Sequence, residues 1–387
     1  MNAFRFTTVP SLVVEYGAAR RLGALLRERH AGLSRLVLVT DRFLHESGLL
    51  APALENLVAH EWDVTVLDDV VADPPDHVVL TAAARAKEAG AEIVVGLGGG
   101  SSMDVAKLIA VLCASSQPLD AMYGVNNVTG PRLPLVLMPT TAGTGSEVTA
   151  ISIVTTGATT KSGVVSPILY PDIAVLDAEL TLGLPAAATA ATGIDAMVHA
   201  IEAYTSVRLK NPLSDMLAKE ALRLLYKNLL PACRNPLDRT AREAMLLGAT
   251  LAGQAFSNAP VAAVHALAYP LGGHFHVPHG LSNALVLMHV LRFNARDAAA
   301  HYAELAEVIG CAAPAHATEA DRAESFVQAM ERLVIETGIA RTLREVGVTE
   351  AHLPMLAADA MKQQRLLINN PREMSEDAAL EIYRAAL

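Results

Sequence analysis

Asp195 and His199 stand four residues apart in the run Gly193-Ile194-Asp195-Ala196-Met197-Val198-His199-Ala200. On an α-helix, positions i and i+4 lie one above the other on the same face, so this carboxylate and this imidazole can point at one spot. His265 and His279 follow in Gly- and Pro-punctuated surroundings. Two imidazoles from later in the chain can complete a four-ligand shell around a divalent cation. The other strong chemical signal is the glycine loop Gly96-Leu97-Gly98-Gly99-Gly100-Ser101-Ser102. A metal beside a nucleotide-type loop suggests redox chemistry more than binding alone. The chain holds 13 histidines, so chance pairing carries weight. His30, His45, His60, His77, His301, His316 and His352 fall in expected surface segments and make no such pattern, whereas His274, His276 and His289 lie nearer the motif.

The glycine loop needs a strand before it and a helix after it. Residues 93–97 (IVVGL) read as a buried strand, and residues 103–112 as a helix. Glycines let backbone approach a pyrophosphate, and a helix N-terminus offers unpaired N–H groups and positive potential. Ser101 with Asp104 three residues on resembles a capping box with a shorter acid. No Gly-Lys-Ser/Thr follows, which excludes a P-loop, and Ser101 occupies the third glycine position of GxGxxG. The acid that would meet a ribose is Asp41, just after the strand at residues 35–40 (RLVLVT). A second small, hydroxyl-rich loop, Pro139-Thr140-Thr141-Ala142-Gly143-Thr144-Gly145-Ser146-Glu147, follows a strand at 134–138. Two such loops at the ends of parallel strands form the crevice expected for a nucleotide.

Strand runs at 35–40, 64–67, 93–97 and 134–138 alternate with helical segments such as 48–60 and 78–90. That alternation implies a parallel sheet with covered faces. Residues 151–155 and 173–176 add strands. Beyond Leu184-Pro185 the helix period dominates, with Pro tolerated in the first turn of a helix that begins at 186. Further helices are expected at 211–229, 239–256, 299–309 and 323–337. The expected fold is α/β: an N-terminal parallel-sheet, Rossmann-like dinucleotide-binding domain (residues 1–184), then an all-α metal-binding domain (residues 185–387). Residues 4–14 read as a strand outside the alternation, free to pair elsewhere, for instance across a dimer.

Composition narrows the class. Apolar residues make up 52% of the 387, enough for large cores, while aromatics are only 4%, so those cores are aliphatic. A net charge of −10 with no basic run argues against a nucleic-acid partner. Cys113, Cys233 and Cys311 are widely spaced and odd in number, as suits a reducing cytosol. Residues 1–10 lack the layout of a secretory leader, so a cytoplasmic location is expected. The weakly charged stretch 244–275 is broken by Gln254, Asn258, Pro260 and His265, which favours a buried helix pair over a membrane span.

The block from His265 to Asn283 (HALAYPLGGHFHVPHGLSN), with GGGSSMDVAK at 98–107, PTTAGTGSEVT at 139–149, GIDAMVHAIEAYTS at 193–206 and Asn370-Pro371-Arg372, resembles the iron-containing (group III) alcohol dehydrogenase family over nearly the whole chain. The resemblance implies that Asp195, His199, His265 and His279 bind a divalent metal, usually Fe²⁺ and sometimes Zn²⁺. It implies that Gly98, Gly99 and Ser101 hold a pyrophosphate, with Asp104 on the helix they open also counted among the cofactor-binding residues, and that Thr140, Thr141 and Thr144 line the cofactor cleft. Asp41 would meet the adenosine ribose, favouring NAD over NADP because a carboxylate repels a 2′-phosphate. A small neutral alcohol or aldehyde and a homodimer or higher homo-oligomer are the implied partners. Tyr269 replaces a non-ligand histidine of many relatives, and the proton path stays open among cofactor ribose hydroxyls, water, Tyr269 and His274. Phe256 matches a pocket-wall position, with ordinary helix core as its alternative reading. Asp73 departs from the Asn of many relatives, with a plain turn residue as the alternative. Competing activities are a hydroxyacid–oxoacid transhydrogenase, a maleylacetate-reductase-like enzyme, a lyase of the dehydroquinate-synthase type, and a non-catalytic binding module.

Overall fold

The computed structural model describes residues 3–157, 160–312 and 316–387. The chain divides into two compact units. One comprises Thr8–Thr141 with Gly145–Leu182; the other comprises the N-terminal residues through Thr7, Ala142–Thr144 and Gly183–Leu387.

The first unit holds the described strands: β1 (Leu12–Val14), β2 (Arg35–Asp41), β3 (Asp63–Val70), β4 (Ile93–Gly98), β5 (Gly124–Val125), β6 (Leu135–Pro139), β7 (Ile151–Thr156), β8 (Thr160–Val165) and β9 (Ile173–Leu176). Six form one sheet in the order β1-β9-β6-β4-β2-β3, paired in parallel throughout. Side chains alternate between its faces. Val37, Val39 and Val94 join one buried cluster, while Leu36, Leu38, Ile93 and Val95 join another. Burial on both faces explains why these strands read as continuous apolar runs.

From β2 to β9 the strand order is that of the 2-1-3-4-5 doubly wound sheet, whose order reverses between β2 and β4. Asp41 ends β2 and Gly98 ends β4, so the two earliest cofactor candidates flank the switch point. Glycine is required on β4 by close packing. A Cβ on Gly96 would lie 2.7 Å from Leu137 and 2.8 Å from Ala106, and one on Gly98 would lie 2.6 Å from the Ser102 hydroxyl. This brings the helix Gly100–Ala114 down onto the sheet.

Two expectations need correction, and one expected strand finds its partners in a separate sheet. The N-terminal strand is not unpaired: Leu12–Val14 adds to the sheet edge in parallel with β9, and no described strand covers residues 4–11. The apolar, β-branched triplet finds its ladder within the chain. Residues 151–156 form the expected strand, which pairs antiparallel with β8, itself paired with β5 in a second, three-stranded sheet. The Ser101–Asp104 capping box is absent, because the helix begins two residues earlier than that box would start it, with Gly99 at its N-cap and no side-chain cap.

Among the described residues of the second unit, the regular elements are all helices. Its longer helices are Ala186–Thr205, Pro212–Arg234, Arg239–Asn258, Ala263–Phe275, His279–Val308 and Glu319–Thr337. Local chemistry sets several starts. Asn211 and Ser214 form a capping box before Pro212, Asp238 caps at Ala241 N, and Thr318 and Asp321 form another box. The stretch 244–275 is the expected helix pair, and no helix among the described residues is long and apolar enough to cross a membrane. The helix expected at 299–309 is the tail of a 30-residue helix that starts at His279. The C-terminal Asn-Pro-Arg motif is structural here. Asn370 and Asn294 exchange amide hydrogen bonds of 2.9 and 2.8 Å, and Arg372 donates to the Phe293 carbonyl.

Candidate metal centre and cofactor loops

Within the helical unit, three helices aim one cluster. Helix Ala186–Thr205 presents Asp195 and His199 on one face, one turn apart. His265 is the third residue of Ala263–Phe275, and His279 opens His279–Val308. One ligand atom from each of the four lies within 4.8 Å of all the others. Asp195 Oδ1 is 3.8 Å from His199 Nε2, 3.8 Å from His265 Nε2 and 3.6 Å from His279 Nε2. A tetrahedral shell with bonds of about 2.1 Å spaces its donors about 3.4 Å apart, so the cluster fits a divalent cation with small adjustments.

The electrostatics suit that fit. Burial pulls His199 down to about 3, outweighing the upward pull of Asp195 and the Gly143 backbone, so the ring is neutral with a lone pair to give. Burial pushes Asp195 up, but the three imidazoles and the Asn283 amide outweigh it and hold the carboxyl below its ordinary value. Asp195, His199 and His265 are buried, whereas the His279 side chain is 34% exposed. The cluster is therefore closed on three sides and reachable from the fourth, as a site that exchanges substrate requires.

Close packing sets the position of His279. A Cβ on Gly280 would lie 2.3 Å from the Ala191 carbonyl oxygen. Only glycine lets the start of this helix meet the backbone of Ala186–Thr205. Phe256 is both buried and stacked on His199, with ring centroids 4.4 Å apart. The Tyr269 ring is 6.0 Å from His279. His274 instead pairs with Asp359 at 2.5 Å and stands outside the tetrad.

Two buried polar residues at the cluster carried no role in the sequence reading. Asn283, one turn beyond His279, donates to Asp195 Oδ1 at 2.6 Å, and its Nδ2 is 3.4 Å from Nε2 of both His265 and His279. Glu202 lies 2.7 Å from His265 Nδ1. Their spacings, i+4 from His279 and i+7 from Asp195, were the available signal.

In the sheet unit, the uncapped N-terminus of Gly100–Ala114 leaves first-turn N–H groups without a side-chain acceptor. Gly99 has open space around its Cβ position, with only Thr141 Oγ1 at 4.0 Å. Thr140 N donates to the Gly98 carbonyl, so the two loops are tied at their roots. Gly98 and Thr140 are buried, and Gly99, Ser101 and Thr141 are partly exposed. Thr144 belongs to the helical unit. Asp41 N-caps residues 42–46 by accepting from Leu44 N at 3.0 Å. Asp73 is a turn residue in the left-handed region (φ 52°), and its carboxylate pairs with Lys161.

Asp104 faces inward. It accepts from the Ser146 hydroxyl at 2.6 Å and from Ile153 N at 2.8 Å. Lys107, wholly buried, donates to Ser146 Oγ, Thr149 Oγ1 and the Ile151 carbonyl. Burial pulls the Lys107 ammonium down, against Asp104 and Glu147. Replacing Lys107 with Met strands these acceptors in a dry interior, so denaturant unfolding is expected to show about 1–3 kcal/mol of lost stability. An unchanged midpoint would contradict this. Ser146 is thus part of an internal network and Cys113 packs beside a core, which leaves neither as a nucleophile.

Comparison with known proteins agrees with this architecture. Residues 10–178 match the iron-containing alcohol dehydrogenase family, and residues 189–387 match its C-terminal part. Long-chain-alcohol dehydrogenase 1 of Geobacillus thermodenitrificans is 39% identical over 392 aligned positions, covering 100% of this chain and 97% of that protein. A crystal structure of 1,3-propanediol oxidoreductase superposes with a TM-score of 0.95 at 35% identity, over 100% of both chains. That of sulfoacetaldehyde reductase from Bifidobacterium kashiwanohense in complex with NAD⁺ superposes with a TM-score of 0.88 at 29% identity, over 100% of this chain and 99% of that one. The chain belongs to the iron-containing alcohol dehydrogenase family.

Proposed function

We propose that this protein is a divalent-metal-dependent, NAD(H)-linked alcohol dehydrogenase and aldehyde reductase acting on a small primary alcohol. The observation that carries the reading is the convergence of Asp195, His199, His265 and His279. When bound, Fe²⁺ or Zn²⁺ would supply Lewis acidity at the substrate oxygen, and the nicotinamide a hydride donor or acceptor. Asp195, His199, His265 and His279 hold the cation. Phe256 covers His199 with an apolar ring, which limits water on that side. Phe256 and Tyr269 are uncharged and offer no clamp for a substrate carboxylate, which favours a neutral alcohol over a hydroxyacid. Tyr269, beside the partly exposed His279, would hand on a proton.

Gly98, Gly99 and Ser101 take the pyrophosphate at the open helix N-terminus, and Thr140 and Thr141 border the cofactor. NAD⁺ held by the sulfoacetaldehyde reductase relative supports the same cofactor here. We place the protein in the cytoplasm as a homodimer or larger homo-oligomer. The test is anaerobic purification followed by NADH absorbance over primary alcohols, diols and hydroxyacids, with and without added metal. Metal-dependent NADH formation from a primary alcohol is expected. Turnover of hydroxyacid and oxoacid without added cofactor would instead establish a transhydrogenase.

Asp41 gives a separate handle on the cofactor. Asp41→Gly removes the charge that would oppose a 2′-phosphate, and glycine at an N-cap costs only a few tenths of a kcal/mol. Relative kcat/KM for NADP over NAD is expected to rise at least tenfold, about 1.4 kcal/mol of relieved repulsion. An unchanged ratio would remove Asp41 from the ribose role.

A further inference from the structure

Glu202 is a buried carboxylate with a job that local structure alone does not explain. It lies on Ala186–Thr205, the helix that bears Asp195 and His199, and reaches to the start of Ala263–Phe275, the helix that bears His265. Its Oε1 accepts from Val264 N at 2.6 Å, and its Oε2 accepts from Ala262 N at 2.9 Å. The second helix has no side-chain cap of its own, so Glu202 caps it from a neighbour. The same Oε2 lies 2.7 Å from His265 Nδ1.

We propose that Glu202 is a positioning residue that fixes His265 as the Nδ1–H tautomer and thereby directs a bare Nε2 at the metal locus. Three groups meet this carboxylate, and two are backbone N–H donors. An ionised carboxylate only accepts, so the imidazole nitrogen facing it must carry a proton. A neutral ring protonated at Nδ1 leaves its lone pair on Nε2, the atom 3.8 Å from Asp195 Oδ1. The buried negative charge also makes that lone pair more basic, as carboxylate–histidine pairs do at metal sites. Glutamine cannot replace it. A side-chain amide offers one accepting and one donating end, so one backbone donor goes unmatched whichever way it turns. If its NH₂ faces the ring, the proton is driven onto Nε2. One carboxylate thus joins the cap of a helix to the state of a metal ligand.

The inference rests on the metal reading, and two measurements separate them. The first is Zn²⁺ affinity, by competition with a chelator, for the full-length wild type, Glu202→Gln and Asp195→Ala. Glu202→Gln is expected to bind Zn²⁺ about 10–100-fold more weakly than wild type, and Asp195→Ala more weakly still. The second uses metal-free protein labelled with [¹⁵N]histidine, with the His265 resonance assigned by its loss in His265→Asn. Long-range nitrogen–proton correlation should show Nδ1 protonated in the wild type, a readout that a purely structural cap would not fix. Equal Zn²⁺ affinity in wild type and Glu202→Gln, with Asp195→Ala weakened, would overturn the role of Glu202 and leave the metal site standing. Equal affinity in all three would overturn the metal site itself. An Nε2–H signal for His265 in the wild type would overturn the tautomer assignment regardless of metal.

Discussion

Asp195→Ala is expected to lose its bound metal and to fall at least about a thousandfold in kcat/KM, with NADH still bound. The magnitude follows from charge. Asp195 is the one anionic donor in the tetrad and is buried. Without it, three neutral imidazoles face a dication in a site from which water is largely excluded. A Lewis acid at a reacting oxygen is worth several kcal/mol of transition-state stabilisation, and about 1.4 kcal/mol is tenfold in rate. NADH binding persists because the loops assigned to the cofactor, around Gly98 and Thr140, belong to the sheet unit, whereas Asp195 belongs to the helical one. Metal content by mass spectrometry, steady-state kinetics and NADH fluorescence titration would check all three parts. Full turnover in a metal-free variant would refute the assignment.

Gly280→Ala is expected to weaken the metal site, by less than Asp195→Ala does, without touching a ligand. The added methyl would sit 2.3 Å from the Ala191 carbonyl oxygen and 2.7 Å from its carbon. These are backbone atoms of the helix carrying Asp195, and they have no rotamer to change. The start of His279–Val308 must therefore move, and His279 moves with it. Overpacking of this kind costs about 1–3 kcal/mol, and at its upper end that strain corresponds to about a hundredfold loss of metal affinity. Gly193→Ala, on the helix that carries Asp195, is the control. Its Cβ would meet the flexible ends of Leu229 and Met245 at 2.5 and 2.7 Å, which can shift. Metal affinity is expected to fall far less there. Equal affinities for the two variants would show that the Gly280 contact does not position the site.

The four converging residues were legible because two of them share a helix face, and an i, i+4 pair survives any error in helix ends. The sheet was legible for a similar reason: β2, β4 and β6 are buried on both faces and read as unbroken aliphatic runs. What escaped depends on distant partners. β8, Thr160–Val165, carries Thr, Lys, Ser and Gly and has no apolar alternation to announce it; it is a strand because β7 and β5 flank it. The long helix from His279 was read only near its C-terminal end because His279-Gly280 and Asn283 look like loop residues. Its start is set by the Gly280 contact with Ala191, about which local propensity says nothing. Glu202 sat in plain view on the face of Asp195, but its partners, the N–H groups of Ala262 and Val264, lie 60 and 62 residues away. The apparent Ser101–Asp104 cap failed in the same way. Asp104 satisfies a loop and a strand in the second sheet, interactions that outbid a local box.

The central claim is that one divalent cation sits among Asp195, His199, His265 and His279. The most direct test is anomalous diffraction from anaerobically grown crystals of the full-length protein, with data collected on both sides of the iron and zinc absorption edges. A single strong peak within bonding distance of Asp195 Oδ and the three imidazole Nε2 atoms, vanishing below the edge of one element, is the predicted result. Well-ordered side chains at all four positions, with no anomalous peak between them in crystals of catalytically active protein, would contradict it.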